Sequence, residues 1–305
     1  MTAPTRRSAV AGSADGRPGG LRGPWFARRR PRRGPAGSVL ERVAVVVALV
    51  MVVLAVVGPW IAPQNPYRVD LGQSLLPPSA AHLFGTDVNG RDVFSRVLTG
   101  ARETLLATVI VLVVATVLGV LIGTAAALGG RVVDEVLMRI CDIGLSLPSI
   151  VLALGLAASL GPSLTSAVVA MCLTWWPGYA RLVRTVVRQH RDAEYVEAAR
   201  SIGAGPVRVV VRHLLPTVVP VMLVQVTLDV AAVMLVISGL SFVGVGAQVP
   251  AAEWGAMIAA AVDDISTAWW ALLFPGLAIA VTAVAFNLAG DWLRVRTDPT
   301  VRWSR

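Results

Sequence analysis

The chain has 305 residues, of which 55% are hydrophobic and only 15% charged, with mean hydropathy +0.70; this excludes an ordinary soluble domain and points to a polytopic membrane protein. The net charge of +9 comes from arginine alone, because the sequence contains no lysine. A normal P-loop ATP site and Schiff-base catalysis both need lysine, so both are excluded.

Residues 1–40 are rich in Arg, Gly, Pro, Ser and Ala and include Arg28-Arg29-Arg30-Pro31-Arg32-Arg33. With no apolar period they read as a disordered tail. Such a run can bind nucleic acid, but just before a membrane span it reads rather as a topology signal touching anionic lipid, with no nucleic-acid partner. Residues 43–61 form an apolar run about long enough to cross a bilayer. It exceeds a typical signal-peptide core and no small-x-small cleavage site follows, so an uncleaved anchor is expected, its N-terminus inside. Residues 62–103 are polar, carry Pro63, Pro66, Pro77 and Pro78, and are expected to lie outside. Within them, Phe84-Gly85-Thr86-Asp87-Val88-Asn89-Gly90-Arg91-Asp92-Val93-Phe94-Ser95-Arg96 admits a metal or nucleotide site. It reads more simply as a turn and a helix begun by Thr86 or Asp87, with Asp92 and Arg96 paired at i, i+4.

Further apolar spans are expected at about 104–129, 143–161, 164–182, 217–244 and 269–290, making six transmembrane helices in an all-α fold. Arginine distribution sets the orientation. With both termini cytoplasmic, the inside segments hold 23 arginines and the outside ones only Arg68, Arg91, Arg96 and Arg102. The outer segment 241–268 holds none, only Glu253, Asp263 and Asp264.

Between the fourth and fifth spans lies a charged, helix-compatible island. Residues 192–202 favour a helix, Gly203 suits the left-handed position past its end, and Pro206 suits the first turn of a second helix. Pro216 is expected to close the unit. Arg181, Arg184, Arg188, Arg191, Arg200, Arg208 and Arg212 lie in or beside it. By spacing alone this is either a docking corner for a soluble partner or an amphipathic loop on lipid headgroups.

Inside the membrane, Asp229 is an ionisable group in hydrocarbon, a functional hypothesis by default. Two readings stand: it lines a translocation path and meets a cationic ligand or peptide amine, or it is paired or protonated against a neighbouring helix. Trp175, Trp176 and Pro177 could stack on substrate, though packing or interfacial anchoring is commoner. Trp269 and Trp270 read as belt residues at the outer edge of the last span, and Asp142 as staying near the inner interface. His82, His190 and His213 are scattered, so no metal site is expected, and His213 reads as a hydrogen-bonding helix end. Cys141 and Cys172, in apolar surroundings, read as buried thiols without a disulfide. No nucleophile–base pair stands out, so no catalytic residue is assigned.

Glu197-Ala198-Ala199, Gly203 and His213-x-Leu215-Pro216 at these offsets resemble the EAA loop of ABC importer permeases. Phe84-Gly85-Thr86-Asp87 with Gly90-Arg91-Asp92 is similar to the FGTDxxGRD signature of the C-type permease subunit of the dipeptide, oligopeptide and nickel importers. Gly239-Leu240-Ser241-Phe242-Val243-Gly244-Val245-Gly246 resembles these permeases' LSFLGLG segment. Asn287-Leu288-Ala289-Gly290-Asp291-Trp292-Leu293-Arg294 with Asp298-Pro299 resembles their ending. Two departures are Thr217, where relatives often carry Asn, and Asp229, where they usually have a small apolar residue. Relatives often have Glu where this chain has Ile237.

The resemblance, over roughly residues 40–300, implies a non-enzymatic transport subunit of a bacterial plasma (inner) membrane. It implies a cytoplasmic tail (1–40), a first helix with its outer loop (41–103), a permease domain (104–294) and a cytoplasmic end (295–305). Implied partners are two ATP-binding cassette ATPase subunits, a second, B-type permease, an extracytoplasmic substrate-binding protein and the bilayer. ATP and Mg would be bound by the ATPase chains, with no cofactor here. Glu197, Ala198, Ala199, Gly203, Leu215 and Pro216 would form the coupling loop, Ala198 and Ala199 allowing close approach to the ATPase groove. The implied cargo is peptides or related small ligands, nickel complexes included. The alternative is a proton-coupled secondary transporter using Asp229.

Overall fold

The structure, a computed structural model, describes residues 39–297. The Arg28–Arg33 run and the Asp298-Pro299 pair lie outside the described residues. Regular structure among the described residues is helical, apart from one β-bridge between Thr86 and Asp92. In chain order the helices are α1 (Val39–Ile61), α2 (Val93–Leu128), α3 (Gly130–Ser146), α4 (Ser149–Leu160), α5 (Leu164–His190), α6 (Glu194–Ser201), α7 (Pro206–Val209), α8 (Leu215–Phe242), α9 (Trp254–Ala261) and α10 (Trp269–Thr297).

Four helical stretches are long and apolar enough to cross a membrane: 39–61, 93–128, 206–242 and 269–296. Counting α3 and α4 as one broken span gives five. The expected span at 143–161 is thereby corrected. Leu147 precedes Pro148 and is driven to extended geometry (φ −104°, ψ 146°), so the pair bends by 86°. The 12 residues of α4 extend only about 18 Å, too short to cross alone. Helix α5 has 27 residues, but Thr174-Trp175-Trp176-Pro177-Gly178-Tyr179 and its arginines dilute its hydropathy.

Helix α2 begins eleven residues before the expected second span. Asp92 caps it, its carboxylate accepting from the Ser95 amide, and its 36 residues extend about 54 Å, well beyond a hydrocarbon core of roughly 30 Å. Its C-terminal half packs closely on α5. A Cβ on Gly119 would lie 2.4 Å from Tyr179 Cβ, and one on Gly123 2.4 Å from the Ala180 carbonyl. The small-xxx-small spacing thus lets two helix backbones approach. Val111, Ala115, Val183 and Val187, all buried, belong to the same core. Asp134 of α3 pairs with Arg184 and Arg188, and Asp142 with Arg181, fixing the amphipathic α3 against α5.

The N-terminal half of α2 and the loops around it are held by polar groups in buried places. Arg96 donates to the carbonyls of Pro66 (3.0 Å), Pro250 (3.3 Å) and Ala251 (2.8 Å), tying α2 to two loops. Glu253, 0% exposed, caps α9. It accepts from the Ala256 amide (2.9 Å) and the hydroxyls of Ser238 (3.0 Å) and Thr104 (3.3 Å). The Phe84–Arg96 stretch docks the outer loop: Phe84 stacks on Phe274 at 3.8 Å, and the Thr86 carbonyl accepts from Trp270 Nε1 at 3.1 Å. Two expectations change here. The i, i+4 ion pair is Asp87–Arg91 at 2.7 Å, because Asp92 is taken up by the cap and by His82 at 3.0 Å. Trp269 stays 51% exposed, but Trp270 is 5% exposed under the loop rather than a belt residue.

Candidate functional site

The residues singled out from the sequence fall into two places joined by one helix. The first is the corner between α6 and α7. Helix α6 ends with Gly203 at φ +87°, where the Gly203 amide donates to the Arg200 carbonyl (2.9 Å) and the Ala204 amide to the Ala199 carbonyl (3.0 Å). These bonds satisfy carbonyls the helix end would leave bare. Pro206 then starts α7 at its first turn. Glu197 and Ala198 are exposed, whereas Ala199 is buried with Val196 against the body of the chain. The paired role expected for the two alanines is therefore corrected: only Ala198 faces outward. Ile202 and Val207 stand 87% and 74% exposed at the corner, large apolar side chains on either side of Gly203.

Pro216 does not close the unit. Val210–Leu214 form a π turn that runs directly into α8, where Pro216 occupies the first turn and its missing N–H costs little. Pro216 is exposed and Leu215 half-buried. His213 is not the expected hydrogen-bonding end: its Nδ1 is buried in the π turn without a partner. The result is one helical stretch from Pro206 to Phe242.

The second place lies about 35 Å along that stretch from Pro206, at Asp229. A cavity of about 320 Å³ opens between the α3–α4 break, α5 and α8, with Ser149, Trp175, Gly178, Tyr179, Gln225 and Asp229 on its wall. Gln225 Nε2 donates to Asp229 Oδ1 (3.1 Å) and Trp175 Nε1 to Oδ2 (3.3 Å). Asp229 is thus bonded to α5 as well as facing a cavity, so the two readings of it are not exclusive. Trp176 does not line the cavity and, like Trp175, packs against the main core. Cys141 is buried, Cys172 half-buried, and both are free thiols. Outside the membrane helices, Tyr67 donates to Glu103 Oε1 at 2.8 Å; burial and that carboxylate push its phenol up to about 12.

The loop-tying role of Arg96 and the capping role of Glu253 differ from what the sequence suggests for them, and neither Gln225 and Tyr179 nor the Gly119/Gly123 pair stands out in it. For the last two sets the sequence held a signal: Gln225–Asp229 and Trp175–Tyr179 stand at i, i+4, and Gly119-x-x-x-Gly123 has small-residue packing spacing.

Comparison with known proteins agrees with this architecture. Residues 115–303 match the binding-protein-dependent transport system inner membrane component family, and residues 42–78 the N-terminal TM domain of oligopeptide transport permease C. The chain is 44% identical over 264 residues to a probable D,D-dipeptide transport system permease protein of Escherichia coli (strain K12), covering 86% of this chain and 88% of that one. It is 40% identical over 258 residues to the nickel transport system permease protein of the same strain, covering 85% and 93%, and 40% identical over 257 residues to the dipeptide transport system permease protein of Bacillus subtilis (strain 168), covering 84% and 80%. Among solved structures, an inward-facing form of the MetNI methionine ABC transporter shares the fold, with TM-score 0.54 at 20% identity over 66% of this chain and 96% of that one. The chain belongs to the family of binding-protein-dependent transport system inner membrane components, and is a multi-pass inner-membrane permease subunit of an ABC importer, itself without catalytic function.

Proposed function

We propose that this permease imports peptides or related small ligands, nickel complexes included, and that Glu197, Ala198, Gly203, Leu215 and Pro216 form the element through which ATPase chains drive it. The observation that carries this reading is the exposed corner: Ile202 and Val207 present apolar surface around a rigid glycine turn, and one continuous helix leads from it to the cavity at Asp229. Movement of a partner seated on the corner would be transmitted along the Pro206–Phe242 stretch as a lever. Ala199 serves by packing the corner onto the body.

The fuller arrangement has six membrane crossings, with α3–α4 and α5 as the third and fourth, both termini cytoplasmic and the coupling loop between the fourth and fifth. The domain limits are 1–40 for the tail, 41–103 for the first helix and outer loop, 104–294 for the permease domain and 295–305 for the end. Two ATPase subunits, which bind ATP and Mg, a second permease of B-type and an extracytoplasmic binding protein complete the importer. Asp229 lies on the translocation path. The relatives' names, which include dipeptide, peptide and nickel systems, support the substrate class.

Affinity purification from native membranes in mild detergent, with mass spectrometry of the co-purifying chains, tests this. An ATPase at two copies per permease pair, lost when Glu197 and Gly203 are both replaced, is the expected outcome. A chain recovered alone under every nucleotide condition would overturn the coupling assignment and leave proton-coupled transport through Asp229 as the alternative.

A further inference from the structure

The wall of the Asp229 cavity has an unusual composition for a membrane interior. Asp229 is its one acidic side chain, and among the described residues no arginine or histidine pairs with it. Its carboxylate offers about four acceptor positions, of which Gln225 and Trp175 occupy one on each oxygen. A further position on each oxygen remains. Tyr179, only 2% exposed, lines the same cavity. Its hydroxyl is buried without a hydrogen-bond partner. Trp175 adds an indole to the wall. Access is open at Gly178, which is exposed and whose added Cβ would meet nothing within 4 Å.

From these positions we infer that the cavity is a binding site for a small organic ammonium, such as the free amino end of a short peptide. A primary ammonium has three donors: two match the remaining acceptor positions of Asp229 and the third matches the Tyr179 hydroxyl oxygen. The aromatic wall favours a cation further. A divalent metal does not fit, because one carboxylate with an amide and an indole is no ligand set, and no group of three His, Cys, Asp or Glu converges among the described residues. The volume of about 320 Å³ is at the lower end of small-ligand pockets. The placement of this site on the import route rests on the permease reading above; its charge preference does not.

The test uses the complete transporter complex with Cys141 and Cys172 replaced by alanine and a Gly178→Cys reporter. Its rates of modification by 2-aminoethyl and 2-sulfonatoethyl methanethiosulfonate are each normalised to a free thiol. A carboxylate in a partly dry cavity should favour the ammonium reagent by about tenfold or more. Asp229→Asn should abolish the preference, Asp229→Glu should keep it, and glycylglycinamide should protect the thiol where its N-acetyl derivative does not. A preference that survives Asp229→Asn, the absence of any preference, equal protection by both peptides, or a thiol that neither reagent reaches would each overturn the site. Intact preference in a complex that shows no ATP-driven uptake would count against the permease reading instead.

Discussion

Replacing Gly203 isolates backbone geometry from contact, because an added Cβ there meets nothing within 4 Å while φ is +87°. Any effect of a side chain at this position must therefore come from the left-handed conformation itself. For an L-residue that conformation costs about 1–2 kcal/mol, more when the residue is β-branched and less for Asn. A penalty of about 1–2 kcal/mol lowers the population of the corner by a factor of about 5–30. The hydrogen bonds from the Gly203 and Ala204 amides back to Arg200 and Ala199 depend on that population, and with them the direction in which Ile202 and Val207 point. ATP-driven uptake in proteoliposomes, normalised to inserted complex, should fall in the order Asn, Ala, Val, with Gly203→Ala down about 5- to 30-fold and Gly203→Val further. Insertion and the thermal midpoint in detergent should change little, since the corner is exposed. Uptake by Gly203→Val equal to the parent would refute the lever. Uptake by Gly203→Asn as low as Gly203→Val would show that surface contact, not φ, is what matters at this position.

Substitutions at four further positions probe the body of the fold. Arg96→Lys replaces a fork serving three carbonyls with a point charge, so the loops around Pro66 and Pro250 should become more susceptible to protease added from outside; unchanged cleavage kinetics would contradict that role. Glu253→Ala leaves two hydroxyls and the Ala256 amide without their buried acceptor. At about 1–3 kcal/mol for each group stranded, the thermal midpoint should drop by several degrees, and Glu253→Gln by less; equal midpoints would mean water replaces the carboxylate. Gly123→Ala places a Cβ 2.4 Å from the Ala180 carbonyl and should destabilise by about 1–3 kcal/mol. Gly155→Ala, with open space around it, should be neutral or stabilising through helix propensity, and a common sign for the two would refute the close-packing account of the α2–α5 contact.

The features legible in the sequence are those decided within a few residues. Gly203 and Pro206 behave as their backbone preferences dictate, because the corner they form is exposed and nothing overrides them. Pro216 obeys the same local rules yet does not end the helix: a proline ends a helix only when the preceding turn cannot adjust, and the π turn at Val210–Leu214 supplies that adjustment. The third apolar span shows the converse failure. An averaged hydropathy over 143–161 cannot register the extended backbone at Leu147-Pro148 that bends it.

Which face of an element is buried was legible only where two sides differ in polarity. Ala198 and Ala199 are the same residue type, one outside and one inside, and no composition argument separates them. Trp269 and Trp270 divide in the same way, because the loop that covers Trp270 begins 184 residues earlier, at Thr86. The cavity depends on the same kind of long-range fact. The pairs Gln225–Asp229 and Trp175–Tyr179 each stand at helical spacing in the sequence, but only the relative register of α5 and α8 sets the indole against the carboxylate. The same stretch of α5 is approached closely by α2 through small residues, at Gly119 against Tyr179 and at Gly123 against Ala180. Tyr179 is therefore at once a wall of the cavity and part of the helix contact that positions the wall. A change at Gly119 should be felt at Asp229 although the two residues lie on different helices.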